Sequence, residues 1–293
     1  MTPSGETRGA PTTGEICAVV LAAGEGTRLR PLTEHVPKAL CPVGNVTLLD
    51  RALARVAGLD LTGPDRVAVN ACYLGGQVVD RVGSRAHLSV EPGDPLGTAG
   101  GIGNLRDWIA GRGVLVGNAD AYLADPHAAP GPDIAALLDG WDGETVRLLG
   151  QPAPDPREPG TFSGHRFVGF SLLPWRRVRD LPPTFGDLVR SAWRPAEAAG
   201  ALEVVPFPGT FYDTGTPGDY LAANLHAAGD GNLIDPAATV TGHCERTVVG
   251  ADAVVAGTVT GSVVWPGATV HPDERLHGVI RAADDLTVAT GSW

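Results

Sequence analysis

The residues best suited to chemistry in this chain are a glycine-rich turn and the two cations that follow it, Arg28 and Lys38. Gly24 and Gly26 permit tight backbone angles, and their missing side chains let a ligand lie directly against the main chain. Turned amide N–H groups form an anion-binding concavity, so this turn favours a phosphate chain. Lys38 is the only lysine among 22 lysine and arginine residues, which indicates that a compact point charge is needed there.

Two aspartates are the best acidic candidates. Asp120 ends the apolar segment Gly113–Asp120. Asp213 stands just before Thr216 and Pro217, which suit the cap and the first position of a helix. Taken alone, a strand-end aspartate is usually a turn residue, and the second aspartate needs no role beyond its place before a capped helix.

The elements that position these residues alternate between strand and helix patterns. Ile16–Ala23 is a continuous apolar run, as in a strand buried on both faces of a parallel sheet. Further strands are predicted at residues 66–70, 87–90, 113–120, 166–173 and 202–207, and helices around residues 49–56, 74–82 and 187–193. This order predicts an α/β fold with a Rossmann-like, mainly parallel sheet and helices on both faces. Ligands of such sheets bind beyond the carboxyl ends of the strands, where Asn70 and the loop 96–101 fall.

The tail of the chain repeats every 15 residues from Asn232 onward. The repeating apolar positions are Ile234, Ala238 and Val240, then Val249, Ala253 and Val255, then Val264, Ala268 and Val270, with Val279 and Ala283 continuing the pattern partially. Such a period predicts a solenoid, and the spacing of six within a coil resembles the left-handed β-helix of hexapeptide-repeat proteins. We therefore predict a disordered arm over residues 1–15, an α/β domain over 16–229 and a short left-handed β-helix over 230–293. The exposed end of that β-helix favours a homo-oligomer.

The composition excludes several classes of partner. With 22 basic and 33 acidic residues the net charge is -11, which argues against nucleic acid and against an anionic membrane. No apolar run is long enough to span a membrane, and the amino terminus lacks the pattern of a secretion signal. The four cysteines are scattered without paired spacing, so we expect reduced thiols in a cytoplasmic protein and no zinc site.

The glycine turn belongs to a longer motif, Gly24-x-Gly26-Thr27-Arg28-Leu29-x-Pro31-Leu32-Thr33, followed by Pro37-Lys38. A dinucleotide fingerprint would require a third glycine at Leu29, and a P-loop would require Gly-Lys-Ser/Thr, so both are excluded. The whole string resembles the nucleoside-diphosphate-sugar pyrophosphorylases, the nucleotidyltransferases that join a nucleoside triphosphate to a sugar 1-phosphate. The resemblance implies those two substrates, a Mg²⁺ cofactor and a catalytic domain over residues 16–229.

The resemblance also assigns roles to individual residues. It implies that Arg28 and Lys38 are catalytic and that Asp120 and Asp213 hold the magnesium ion. Gly169 looks like the family glycine that lets the sugar phosphate substrate approach the backbone. The residues implied to bind the nucleotide are Leu21, Ala22, Ala23, Gly24, Gly26, Thr27, Asn70, Gly97 and Thr98.

The segment Glu91-x-x-x-Pro-Leu-Gly-Thr-Ala-Gly100 bears on the choice of nucleotide. From composition alone, it contains a glycine-rich connection that opens a helix, with Thr98 near the N-cap. In the resembled family this segment lies against the base, and this version looks most like guanylyltransferases of the mannose 1-phosphate type. A similar segment occurs in uridylyltransferases for amino sugars, so GTP is favoured only slightly over UTP.

One family element is missing. Many members carry Glu-Lys-Pro near residues 152–160, and its lysine binds the sugar phosphate, but this chain has no lysine there. Arg147, Arg157 or Arg166 can substitute, and the sequence does not distinguish among them.

Two other functions remain open from the sequence. The first motif is shared with cytidylyltransferases that act on a phosphorylated alcohol. The missing lysine is also consistent with a catalytically silent regulatory subunit that binds sugar nucleotides. Because full hexapeptide solenoids form acyltransferases and three histidines lie in the tail, an added acyltransferase activity is a further, weaker alternative; these histidines are His243, His271 and His277.

Overall fold

The computed structural model describes residues 16–284 and 286–290. The disordered arm predicted for residues 1–15 lies outside the described residues. Within the described chain, contacts divide the residues into two compact units. The first unit comprises residues 16–24, 52–119 and 124–210, and the second comprises residues 25–51, 120–123 and those from 211 onward. These units divide the chain elsewhere than the boundary expected between residues 229 and 230, which stays a prediction.

The strands, in chain order, are β1 (Ile16–Leu21), β2 (Pro42–Val43), β3 (Val46–Thr47), β4 (Val67–Ala71), β5 (His87–Val90), β6 (Gly113–Asn118), β7 (Ala121–Ala124), β8 (Val146–Pro152), β9 (Thr161–Phe162), β10 (His165–Leu173), β11 (Leu202–Pro206), β12 (Thr210–Asp213), β13 (Leu233–Ile234), β14 (Thr239–Val240), β15 (His243–Glu245), β16 (Val248–Val249), β17 (Val254–Val255), β18 (Thr258–Thr260), β19 (Val263–Val264), β20 (Thr269–Val270), β21 (Arg275–His277), β22 (Val279–Ala283) and β23 (Leu286–Ala289).

The α-helices are α1 (Leu48–Ala57), α2 (Gly75–Val82), α3 (Gly97–Asn104), α4 (Arg106–Ile109), α5 (Trp175–Val178), α6 (Arg194–Ala198) and α7 (Pro217–Ala228). Short 3₁₀ helices occupy Thr27–Leu29, Leu32–Glu34, Lys38–Leu40 and Pro132–Leu137, and a π-helical turn, Val189–Trp193, precedes α6. The helix predicted over residues 187–193 is therefore partly π-helical and continues into α6. Among the described residues, none of the helices combines the length and the apolar character that a membrane span requires.

The first unit is built on a mainly parallel sheet with the strand order β11-β8-β10-β6-β1-β4-β5, and β9 pairs with β10. Strand β10 runs antiparallel to β6, β8 and β9, whereas the pairs β1–β4, β1–β6, β4–β5 and β8–β11 are parallel. Strand β1 lies inside the sheet, between β6 and β4, and its residues Ile16 to Val20 are at most 1% exposed. A continuous apolar run predicts such a strand because both of its faces are buried. The predicted Rossmann-like sheet with helices is confirmed.

One face of this sheet is covered by helices. Cys17 and Val19 of β1 share a buried cluster with Ile102 of α3, Ile109 of α4 and Ala196 of α6. Alternate residues of a strand point to the same face, so Cys17 and Val19 meet the helices together. This packing fixes the carboxyl ends of β1, β4 and β6 relative to one another.

The second unit contains the hairpin β2–β3, helix α7 and the repeat region. Helix α7 begins as the sequence predicts, with Pro217 in its first turn and Thr216 as its N-cap. Thr216 Oγ1 accepts a hydrogen bond from Asp219 N at 3.2 Å, which satisfies an amide that has no partner within the helix. Because Thr216 follows Asp213 closely in the chain, this cap also restrains the main chain next to Asp213.

The repeat region forms parallel ladders, one of which is β13–β16–β19–β22. Ile234 pairs with Val249 and Val249 pairs with Val264, which confirms the 15-residue period. In the last coil, however, Val264 pairs with Arg281, so the expected continuation at Val279 is wrong. The turn between β20 and β21 holds residues 271–274, two more than the equivalent turns, and this insertion shifts the register. The ladders are consistent with a β-helix-like region, and its left-handedness stays a prediction.

Candidate active site

The glycine turn follows β1 directly. Gly24 is exposed, and a side chain added there would meet no atom within 4 Å, so the main chain is open to a ligand. Gly26 has φ +64°, a left-handed conformation that glycine adopts without strain. A Cβ at Gly26 would also lie 2.9 Å from the Cβ of Lys38 and 3.0 Å from the Cγ2 of Thr33. The unusual backbone angle that the sequence suggested for both glycines is thus found at Gly26, where close packing against Lys38 adds a second reason for glycine.

The second unit brings together the two predicted catalytic cations and the two predicted metal ligands. Lys38 Nζ lies 2.7 Å from Asp120 Oδ2 and 3.7 Å from Asp213 Oδ1. Arg28 Nη2 lies 3.4 Å from Asp213 Oδ2. The side chain of Lys38 is only 8% exposed, whereas that of Arg28 is 67% exposed. The ammonium is therefore held in place from within the protein, and the guanidinium is free to contact a ligand from solvent.

Contacts that the sequence did not predict hold the main chain of Asp120 and leave room for Arg28. Thr214 is fully buried, and its Oγ1 donates a hydrogen bond of 2.7 Å to the carbonyl oxygen of Asp120. Gly215 leaves room for Arg28, since a Cβ at that position would lie 2.6 Å from Arg28 Nη2. The sequence signal for both was present in Asp213-Thr-Gly215, but only the contacts reveal what each residue does.

The donor set of Asp120 and Asp213 fits a divalent cation. Asp120 Oδ2 and Asp213 Oδ1 lie 2.7 and 3.7 Å from the same ammonium nitrogen. The distance between these two oxygens therefore cannot exceed the sum of the two contacts. Their side chains are 40% and 53% exposed, which leaves oxygen lone pairs accessible to an ion from solvent. Hard oxygen donors of this kind suit Mg²⁺, which usually takes one or two carboxylates and completes its shell with water and phosphate. No group of three or more acidic, histidine or cysteine ligands occurs among the described residues, so the phosphates would have to supply the remaining donors.

A second arrangement, in the first unit, holds the main chain at the end of β1. Asn70 is 2% exposed, and its Oδ1 accepts a hydrogen bond of 2.7 Å from Ala22 N. Its Nδ2 donates to Glu91 Oε1 at 2.7 Å, while Glu91 Oε2 accepts from Leu96 N at 2.8 Å. Glu91 is 3% exposed and was missed as a site residue, because its sequence position gave no sign of these partners. Asn70, predicted to bind nucleotide, thus contacts Ala22 and Glu91, and a direct contact with the nucleotide stays a prediction.

The glycine-rich segment predicted to lie against the base forms α3, whose N-cap is Leu96. Thr98 lies inside the first turn, and its Oγ1 accepts a hydrogen bond of 2.9 Å from Leu188 N. A Cβ added at Gly97, Gly100 or Gly103 would lie within 2.5 Å of a carbonyl oxygen of residues 182–186, so this glycine face is covered by main chain. The roles of Gly97 and Thr98 in nucleotide binding stay predictions.

Gly169 lies in β10 where the pairing with β8 shifts register, and its φ of +93° requires glycine.

The three arginines considered as replacements for the missing lysine differ in their contacts. Arg147 Nε lies 2.8 Å from Glu203 Oε2, and its Nη1 donates to two carbonyl oxygens. Arg166 is exposed and donates from Nη2 to Gln151 Oε1 at 2.9 Å across the β8–β10 pair. Arg157 lies in an exposed loop.

Comparisons with known proteins bear on the family. A family model described as a MobA-like NTP transferase domain matches residues 18–144. A mannose-1-phosphate guanylyltransferase of Mycobacterium tuberculosis is 28% identical over 92% of this chain and 80% of its own length. An N-acetylmuramate alpha-1-phosphate uridylyltransferase of Neisseria meningitidis is 37% identical over 55% of this chain and 67% of its own length.

A solved structure supports the same fold. The crystal structure of a putative glucose-1-phosphate thymidylyltransferase from Bacillus anthracis superposes with a TM-score of 0.57 at 20% identity, covering 72% of this chain and 95% of that one. At this identity the likeness concerns the fold alone. The family model and the matching relatives show that the chain is a nucleotidyltransferase and belongs to the sugar-1-phosphate nucleotidyltransferases.

Proposed function

We propose that this enzyme joins a nucleoside triphosphate, with GTP favoured over UTP, to a sugar 1-phosphate. A phosphate oxygen of the sugar 1-phosphate forms a bond to the α-phosphorus, and the bond from that phosphorus to the bridging oxygen of the β-phosphate breaks. The products are a nucleotide sugar and pyrophosphate. The observation that carries the proposal is the cluster of Arg28, Lys38, Asp120 and Asp213, which joins phosphate-binding cations to a carboxylate pair suited to Mg²⁺.

The chemistry asks little of the protein beyond placement and charge. The second pKa of a phosphate monoester is about 6, so the attacking oxygen is already largely anionic at pH 7 and needs no general base. The protein has to align the attacking oxygen with the α-phosphorus and to stabilise the charge that builds in the transition state. Lys38 would hold the α-phosphate, and the exposed Arg28 would bind the triphosphate and stabilise that charge.

Asp120 and Asp213 would hold the magnesium ion. When bound there, magnesium would neutralise phosphate charge on both substrates. In the structure, Lys38 pairs with Asp120 and Arg28 pairs with Asp213. Substrate phosphates would offer the two cations other anionic partners, and the oxygens of both carboxylates would then be open to the metal ion.

For the acceptor phosphate we propose Arg166. Arg147 is engaged by Glu203 and by carbonyl oxygens, so its charge is already paired. Gln151 stands directly before Pro152, where a Glu-Lys-Pro element would place its lysine, and Arg166 lies over it from the neighbouring strand. Arg166 is exposed, so a phosphate can reach its guanidinium from solvent.

A substrate screen tests the proposal. The purified protein is incubated with Mg²⁺, each of four nucleoside triphosphates and a panel of sugar 1-phosphates, and products are read by mass. We expect a nucleotide sugar and an equal amount of pyrophosphate, formed fastest with GTP. Arg28→Ala and Asp120→Ala should keep the fold and lose nearly all turnover. Wild-type rates in both variants would refute these roles, and product formation only with CTP and a phosphorylated alcohol would favour the cytidylyltransferase.

We also propose that the protein forms a homo-oligomer through the repeat region. Among the described residues, β14 and β15 are the first strands of their ladders, so each has one neighbour and an edge that is open to pairing. Ile234 and Val254 are 39% and 40% exposed, which adds apolar surface to this region. Light scattering of the protein as it elutes from a size-exclusion column should give a molar mass that is a multiple of the 30.2 kDa chain mass. A monomer at micromolar concentration would refute the proposal.

A further inference from the structure

The segment that carries Lys38 is short and continues into a hairpin. The 3₁₀ helix Lys38–Leu40 is followed at once by β2 and β3, and residues 38–47 together are named here the lysine hairpin. Cys41 N donates to the carbonyl oxygen of Lys38 at 3.1 Å, and Leu48 N donates to that of Cys41 at 3.2 Å. Since only three residues separate Lys38 from Pro42, whatever fixes the hairpin also fixes the base of the lysine side chain.

Helix α7 binds the lysine hairpin through buried polar groups. Tyr220 is fully buried and its hydroxyl donates to the carbonyl oxygen of Pro42. Asn224, also fully buried, accepts from Gly44 N through Oδ1 at 3.0 Å and donates through Nδ2 to the carbonyl of Tyr220 at 3.0 Å. Gly44 packs so closely that a Cβ there would lie 2.7 Å from the Cβ of Ala227.

The repeat region supplies the next layer of contacts. Trp265, which is 6% exposed and follows β19, donates from Nε1 to the hydroxyl of Tyr220 at 2.9 Å. Because the tyrosine hydroxyl has one proton, an N–H donor on its lone pair favours the orientation in which that proton points to Pro42. Separately, Asn45 donates from Nδ2 to the carbonyl oxygen of Val249 in β16 at 2.9 Å.

We infer that Trp265 and Asn45 are positioning residues for Lys38, and that the repeat region is therefore part of the support of the phosphate-binding cluster. Trp265 acts through Tyr220 on Pro42, and Asn45 acts directly on the hairpin turn. Asp213 ends β12 shortly before helix α7, so a proposed metal ligand lies close in the chain to the helix that holds the hairpin of the catalytic lysine. The expected effect on turnover rests on the proposed function, whereas the expected effect on the stability of the lysine hairpin does not.

Two variants test the inference with little change in packing. Trp265→Phe keeps an aromatic ring and removes the N–H donor. Asn45→Gly suits the left-handed turn, where Asn45 has φ +62°, and removes only the side-chain hydrogen bond. The matched control is Val259→Ala, which makes a cavity at a fully buried position of the repeat core and removes neither of these hydrogen bonds.

The first measurement is hydrogen exchange of peptides that cover residues 38–47. Loss of one buried hydrogen bond should speed their exchange about fivefold in each test variant. Val259→Ala should lower the melting temperature and leave this exchange unchanged. Wild-type exchange rates in both test variants, or equal acceleration in the control, would overturn the inference.

The second measurement is steady-state kinetics. A misplaced Lys38 should lower kcat by about tenfold or more in the test variants while KM for the sugar 1-phosphate stays constant. A purely structural role would lower kcat and the melting temperature together, in the control as well. If the wild-type protein had no nucleotidyltransferase activity, the proposed function would fail, and the exchange experiment would still decide whether the hairpin depends on Trp265 and Asn45.

Discussion

Replacing Lys38 with methionine removes a charge from the centre of the proposed phosphate and metal site. The ammonium lies 2.7 Å from Asp120 and 3.7 Å from Asp213, and the side chain is 8% exposed. Methionine retains an unbranched apolar stem, so the packing against Gly26 is kept. We expect two effects of opposite sign, a fall in turnover and tighter binding of a divalent cation by the nucleotide-free protein.

In the wild-type protein the Lys38 ammonium repels an incoming cation. The strength of this repulsion sets the expected gain in cation affinity. Two unit charges 4 Å apart interact by about 4 kcal/mol at an effective dielectric constant near 20. Because Asp120 and Asp213 are 40% and 53% exposed, solvent screens this repulsion, and we reduce it to about 1–2 kcal/mol. The dissociation constant should then fall about fivefold to thirtyfold. Loss of one donor that stabilises the transition state should lower kcat by about 10²–10³.

The assay is calorimetric titration of Mn²⁺ into protein without nucleotide, beside steady-state kinetics with both substrates. Arg176→Met is the control, since Arg176 pairs with Glu144 at 3.0 Å on the surface and its loss should change neither quantity. Unchanged or weaker Mn²⁺ binding in Lys38→Met would refute the idea that the ammonium opposes an incoming cation. Turnover within threefold of wild type would refute a catalytic role for the lysine.

Three further changes have expected outcomes. Gly215→Ala should displace the Arg28 guanidinium, which a new Cβ would approach to 2.6 Å, and lower kcat severalfold without changing the melting temperature. Arg55→Met should destabilise the protein by about 3–5 kcal/mol in urea unfolding, because Asp133, 2.8 Å away, is left charged and buried; Arg55→Met with Asp133→Leu should recover much of the loss. Burial raises the pKa of Cys41 from 9.0 to about 12, so its contribution to stability is complete below pH 9 and is lost as pH rises towards 12. The unfolding free energy of wild type, measured against Cys41→Ala, should therefore fall by about 1.4 kcal/mol per pH unit above pH 9.

Features set by local sequence were predictable. The apolar run of β1, the cap of α7 at Thr216 and the 15-residue repeat follow from patterns within a few turns of chain, and all three are confirmed. The cluster of Arg28 and Lys38 with the two aspartates was named from motifs spread over the chain, and the contacts bring these four residues together.

Features set by contacts between distant segments were not predictable. Glu91 opens the glycine-rich segment in the sequence, but only the fold brings its side chain to Asn70. The link from Trp265 through Tyr220 to Pro42 joins three separate segments, and no periodicity reports a hydrogen bond of that kind. The register shift of the last coil depends on a two-residue insertion in a turn, which a fixed period cannot anticipate.

The glycine face of α3, a segment predicted to lie against the base, limits how the choice of nucleotide could be altered by mutation. Gly97, Gly100 and Gly103 are required by the carbonyl oxygens of residues 182–186, which leave no space for a methyl group whichever base is bound. Side chains introduced at these positions would push α3 away from residues 182–186, whatever their effect on recognition of the base. Engineering of base preference should therefore leave the glycines untouched and vary their neighbours, and libraries randomised across the whole segment should yield mostly insoluble protein.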